Sequence, residues 1–176
     1  MTMGIAEPAV SLSEAQAFVR IETGEEEALL AAMVRSASAI CEAFINQVLV
    51  ARDFTLDLPA KGQWTRIPLC PVTAIASVAA LAPDGTTSAL ASGAYQIDID
   101  ANGDGWVRTT ADPGTSRVRV SGRAGMAEQE NGVPEPIRHG VLRLVAHLFA
   151  SRDDDGGEPP AAVTALWRPY RRMRLA

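Results

Sequence analysis

Apolar residues recur at three- and four-residue steps between Glu25 and Val48: Leu29, Leu30, Met33, Val34, Ala37, Ile40, Cys41, Phe44, Ile45 and Val48. That spacing puts them on one side of an α-helix. Thr23 with Glu26 reads as a capping box, and Glu25, Glu26 and Glu27 suit the positive end of the helix dipole. A helix of this length runs roughly 36 Å. Its stripe is too wide to face water and predicts a packing partner. Ile137 to Ala150 is the other strongly helical stretch of comparable apolarity, opened by Pro134 and Pro136 near the first turn, where proline costs least. A shorter helix opens at a second capping box, Ser11 with Glu14, and presents Leu12, Ala15, Phe18 and Val19. Helices are therefore expected over residues 11–20, 25–48 and 136–151.

After Asn46 the period falls to two. Val50, Arg52, Phe54, Leu56 and Leu58 alternate with Ala51, Asp53, Thr55 and Asp57, as in a half-buried strand. Further strands are predicted over Trp64–Leu69, Thr73–Leu81, Tyr95–Ile99, Trp106–Thr109 and Arg117–Val120. Pro83-Asp84-Gly85, Asn102-Gly103-Asp104-Gly105 and Asp112-Pro113-Gly114 supply turns between them. Two helices, about six short strands in region 49–122 and a third helix make an α+β layout. The third helix is expected to pack on the long one, and the central sheet to be antiparallel. Residues 1–10 read as an arm, 11–152 as the folded body, and 153–176 as a linker with an extended C-terminal tail.

Composition narrows the classes. At 176 residues the chain fits one domain with tails. The net charge of −5 argues against a general nucleic-acid binder. Charge is uneven, because Val163 to Ala176 hold Arg168, Arg171, Arg172 and Arg174 and no acid. The first two helices connect like a helix–turn–helix, but three glutamates at the start of the second would meet phosphate. Cys41 and Cys70 read as packed thiols of a reducing compartment. No apolar run reaches the ~18 residues of a membrane span, and no signal peptide is expected.

Candidate chemistry is sparse. Asp98-Ile99-Asp100-Ala101-Asn102-Gly103 matches the first half of a calcium loop, with Asp98, Asp100 and Asn102 as candidate ligands. The twelfth position is Thr109 rather than glutamate, and the flanks read as strands. An acidic hairpin closed by Asn-Gly explains the same residues, so no metal or cofactor is expected. His139 and His147 are eight apart, whereas zinc pairs on a helix want four. No nucleophile motif or phosphate loop occurs, and no catalytic site is expected. The tail carries the sharpest signal. Leu166, Trp167, Arg168, Tyr170, Arg171, Arg172, Met173 and Arg174 mix the residue types enriched at binding hot spots. Such a segment either packs back on its own domain or docks on a partner chain.

The order of several short motifs resembles a family. Ser11 to Arg20 is similar to an opening "leucine-x-glu-ala-x-x-x-leu-arg", and Glu27-Ala28-Leu29-Leu30 with Ala37 to Phe44 to the family's long helix. Pro68-Leu69-Cys70-Pro71-Val72 looks like its "leu-pro-x-pro-val" joint. Pro83-Asp84-Gly85 and Tyr95-Gln96-Ile97-Asp98 look like its turn and following strand. Val133-Pro134-Glu135-Pro136-Ile137 and Leu144 to Phe149 look like its last helix, and Leu166-Trp167-Arg168-Pro169-Tyr170-Arg171 like its closing "leu-leu-x-pro-tyr-arg". These are the head–tail connector, or adaptor, proteins of long-tailed phages. The alanine and arginine usage is similar to adaptors of gene transfer agents, which are phage-like particles. One departure is Ser151-Arg152-Asp153, followed here by extra acid and glycine.

The resemblance implies a non-enzymatic subunit of a particle neck, made in the bacterial cytoplasm. It implies a ring of twelve copies under the portal protein, with the tail residues Leu166 to Arg174 docked on the portal. A stopper or other neck protein would follow below, and DNA would pass through the lumen without sequence-specific binding or membrane contact. The other reading left by the residues is a small calcium- or ligand-binding α+β domain using the hairpin 98–104.

Overall fold

The computed structural model describes residues 1–21, 26–91, 93–110, 116–151 and 158–173. It divides into two compact units. The first comprises Met1–Ile5 and Ala51–Gly125, and the second Ala6–Val50 and Met126–Ala176.

Among the described residues the first unit holds the strands, in two antiparallel sheets. Strands β1 (Thr2–Met3), β2 (Arg52–Pro59), β8 (Arg117–Ala124), β4 (Val72–Leu81) and β5 (Thr87–Ala89) form a five-stranded sheet in the order β1-β2-β8-β4-β5. Strands β3 (Thr65–Arg66), β7 (Gly105–Thr109) and β6 (Tyr95–Ile99) form a three-stranded sheet in the order β3-β7-β6. The period-two pattern does what it must: Phe54, Leu56 and Leu58 are buried with Val118 and Val120 on one face of β2 and β8. The other face pairs Asp53 with Arg123 and Asp57 with Arg119 across the strands. Arg119 grips Asp57 with two bonds, 2.8 and 3.1 Å, and these hold the Asp57 carboxyl below its usual range. Gly122 lets strands close up here, since a Cβ would strike the Ala74 carbonyl and the Phe54 ring.

The second unit is helical: α1 (Leu12–Val19), α2 (Glu27–Ile45), α3 (Glu135–Ala150) and α4 (Ala161–Trp167). As the wide stripe requires, α2 packs on α3. Leu30, Val34, Ala37, Cys41 and Ile45 of α2 share one core cluster with Ile137, Val141, Leu144 and Val145 of α3. The capping box of α1 forms as expected: Ser11 Oγ accepts from the Glu14 amide and Glu14 accepts from the Ser11 amide. Glu14 also reaches Arg138 of α3, whose second partner is Glu135 at 2.8 Å. The Arg138 side chain is only 10% exposed, so this ion pair ties α1 to α3 from a largely buried position.

Several expectations change. The sheet region makes two sheets rather than one, because period-two patterning assigns faces but not neighbours. The arm is anchored: Thr2–Met3 pairs with β2, while Ala9 and Val10 are fully buried and the Ala9 amide donates to Ser38 Oγ at 3.1 Å. The tail expected to be extended is instead α4 followed by a 3-10 turn at Arg168–Tyr170. The Thr23–Glu26 capping box, the Asp112-Pro113-Gly114 turn, the acidic stretch 152–157 and Arg174 involve positions outside the described residues.

Candidate functional site

The C-terminal segment is built from the inside outward. Gly140 lies in the middle of α3, where glycine costs about 1 kcal/mol relative to alanine. The reason is spatial: a Cβ there would collide with the indole nitrogen of Trp167. Trp167 fills that space with 0% exposure, and its Nε1 donates to the Ile137 carbonyl at 3.2 Å. The bond satisfies the polar end of an otherwise apolar ring. Phe44 of α2 completes the seat, with its ring centre 5.8 Å from the indole. Trp167, expected to meet a partner chain, is therefore a core residue of its own unit.

Beyond Trp167 the backbone is fastened to the end of α2. That helix stops at Asn46, which turns into the left-handed region at φ 56°. The exposed carbonyls left by a helix end need donors. The Arg172 amide gives one to Ile45 at 2.9 Å, while Asn46 Nδ2 donates to the Arg172 carbonyl at 3.0 Å. Gln47 Nε2 donates to the Tyr170 carbonyl at 2.6 Å. Arg171 lies 5.3 Å above the Phe44 ring.

The segment thus splits into anchor and display. Val163 and Trp167 are buried, Leu166, Tyr170 and Arg172 are half-buried, and Arg168 and Arg171 are exposed. Met173 is 85% exposed. Of the docking residues read from the sequence, Leu166, Trp167, Arg168, Tyr170, Arg171, Arg172 and Met173 lie in this segment, and Trp167 is buried in its own unit. Phe44, Asn46, Gln47 and Gly140, which position the display, escape sequence reasoning. A glycine in mid-helix facing the core was the one available signal.

The hairpin of the calcium reading is also resolved. Asp98 sits on β6, and Asp100 closes the turn: its Oδ1 accepts from the Asn102 amide at 2.8 Å and the Asp104 amide at 3.0 Å. Asp104 in turn pairs with Arg66 at 2.6 Å. Gly103 has φ 76°, the conformation the turn needs and one that side chains resist. Asp100 thus performs the work of a turn residue. Asp100→Ala is expected to cost about 1–2 kcal/mol, two backbone bonds to a carboxylate, in urea unfolding at neutral pH. Among the described residues no cluster of three His, Cys, Asp or Glu side chains is placed to hold a metal ion. His139 is exposed against Phe18, rings 6.1 Å apart and nearly perpendicular. Burial pushes the Cys41 thiol far up, so it stays protonated and behaves as a small hydrophobe.

No protein-family model matches the chain, and no curated protein matches it. Solved structures do. A chain in the virion of a native gene transfer agent particle superposes with a TM-score of 0.77 at 22% identity, covering 100% of this chain and 98% of that one. A chain in the neck of an empty gene transfer agent particle, treated with C6 symmetry, gives the same TM-score, identity and coverage. A chain in the neck of the native particle with C12 symmetry gives 0.77 at 23% identity, again over 100% and 98%. The protein described here has, from end to end, the fold of a chain found in gene transfer agent particle necks.

Proposed function

We propose that this chain is a head–tail connector (adaptor) subunit of a phage-like particle, with a structural and not a catalytic role. Twelve copies form a ring beneath the portal protein and continue the DNA channel toward the next neck protein. The observation that supports this is the whole-chain match to a neck chain in a particle with C12 symmetry. The net charge of −5 suits a channel wall, because phosphate is repelled rather than neutralised as DNA moves past. Before assembly the subunit resides in the bacterial cytoplasm.

The C-terminal display is the portal contact in this reading. Arg168, Arg171 and Met173 face outward from a platform fixed by Trp167, so little ordering entropy is lost on docking. The double variant Arg168→Glu, Arg171→Glu is expected to keep its fold, since both side chains are exposed and the described contact removed is that of Arg171 over the Phe44 ring. It should bind portal protein roughly 30-fold or more weakly, from at least ~1 kcal/mol per hot-spot arginine. Calorimetry with purified portal protein measures this, and unchanged affinity would remove the tail from the docking role.

A further inference from the structure

Sheet edges expose unpaired backbone groups, and proteins blunt them with short strands, bulges, lysine or proline. Among the described residues, three of the four terminal strands in the first unit follow that rule, and β4, which β5 covers only over Ala79–Leu81, carries register shifts against β8. Strands β1 and β3 have two residues each and β5 has three. Strand β6 does not. It is an edge of five residues, Tyr-Gln-Ile-Asp-Ile, with no lysine, no proline and no register shift against β7.

The hydrogen-bond parity of this edge can be read. The Thr110 amide donates to Ala94 at 2.9 Å and the Asp100 amide to Asp104 at 3.0 Å. These pairs flank the register Tyr95↔Thr109 to Ile99↔Gly105. In an antiparallel ladder bonded pairs alternate, so the even positions bond to β7. The N–H and C=O groups of Tyr95, Ile97 and Ile99 therefore point away from the sheet. Two of these residues also carry exposed apolar side chains, Ile97 at 44% and Ile99 at 38%. Asp98 stands between them on the opposite face and is exposed.

We propose that the β6 edge receives an added strand from a different neck protein, an extended segment with apolar residues at alternate positions and Lys or Arg between them. The apolar positions cover Ile97 and Ile99, and the basic one meets Asp98 across the new ladder. A second copy of this chain fits less well. Pairing β6 with β6 closes an isologous two-fold dimer, which a twelve-fold ring does not use, and in the register of full overlap it sets each Asp98 against Gln96 rather than against a cation. The inference rests on the neck reading and adds a second contact to it, separate from the C-terminal display.

The test uses Ile97→Pro. Proline on an edge strand removes only an outward N–H, so the bonds to β7 stay. A second variant, Ile97→Lys with Ile99→Lys, keeps the backbone and removes the apolar cover. Both are expected to keep melting temperatures within a few degrees of wild type. Introduced into the particle-producing host, both should enter the neck and lower the yield of tailed particles at least tenfold. Normal tailing with either variant present in the neck overturns the inference and leaves the neck reading intact. A wild-type chain absent from particles overturns both. Concentration-dependent dimers of the purified protein that Ile97→Pro abolishes would make the occupant a second copy, against the proposal.

Discussion

Trp167→Ala is expected to destabilise the helical unit by about 3–5 kcal/mol, the range for truncating a large aromatic in a packed core. The side chain has no exposure and fills the space that Gly140 leaves open on α3. Truncation leaves a cavity that cannot collapse easily, because α2 and α3 hold its other walls. It also leaves the Ile137 carbonyl without its indole donor, although that carbonyl keeps its place in the helix. Gly140→Leu should reach a similar result from the opposite side, by evicting the indole. Urea unfolding at constant m-value measures both. A cost under about 1 kcal/mol for Trp167→Ala would mean that the C-terminal segment is not seated as described. The effect matters for function as well as stability. Once Trp167 is gone, Arg168, Arg171 and Met173 lose their platform, and the proposed portal docking should weaken although none of those three is altered.

The second large effect lies at the α1–α3 tie. Glu14→Gln keeps the capping box, because glutamine at that position can still accept from the Ser11 amide. What it removes is the charge that faces Arg138. The guanidinium is 10% exposed and keeps Glu135 as its other carboxylate partner, so the expected cost is about 1.5–3 kcal/mol, that of a hydrogen bond to a charged group. The pH dependence follows with a definite sign. The Ser11 backbone amide, first, and then the Ser11 hydroxyl and Arg138 hold the Glu14 carboxyl below its ordinary value of 4.5. A depressed carboxylate contributes stability that is present above 4.5 and is lost as the pH falls through the lower folded value. Wild type should therefore lose more stability than Glu14→Gln on acidification below 4.5, and the two should run parallel above it. Parallel curves throughout would show that Glu14 is not linked to folding.

How much of this was legible in the sequence varies with the range of the signal. The long helix, its partner and the alternating strands β2 and β8 are local patterns, and each appears where periodicity places it. Strands β1 and β5 are two and three residues long, too short for any period to register. The split into two sheets depends on which strands pair, and side-chain alternation is silent about that. The tail shows the limit most clearly. Its composition pointed to a binding segment, and both packing back and docking outward were open. What decides Trp167 is a vacancy at Gly140, on another helix and beyond an acidic linker. A hole and its filler leave no common trace in linear order. The residues that hold the display, Asn46 and Gln47, act through backbone carbonyls of Tyr170 and Arg172, which no side-chain pattern reports.

The end-to-end match to neck chains gives these details their setting. The proposed portal contact on one unit and the proposed strand-accepting edge on the other would give a neck subunit two separate contacts. The most direct test is a cryo-electron microscopy reconstruction of the neck of particles made by the host of this protein. The account expects twelve copies of this chain in one ring, with Arg168, Arg171 and Met173 against portal subunits. A neck ring built wholly from other chains, with this protein absent from purified particles, would contradict it.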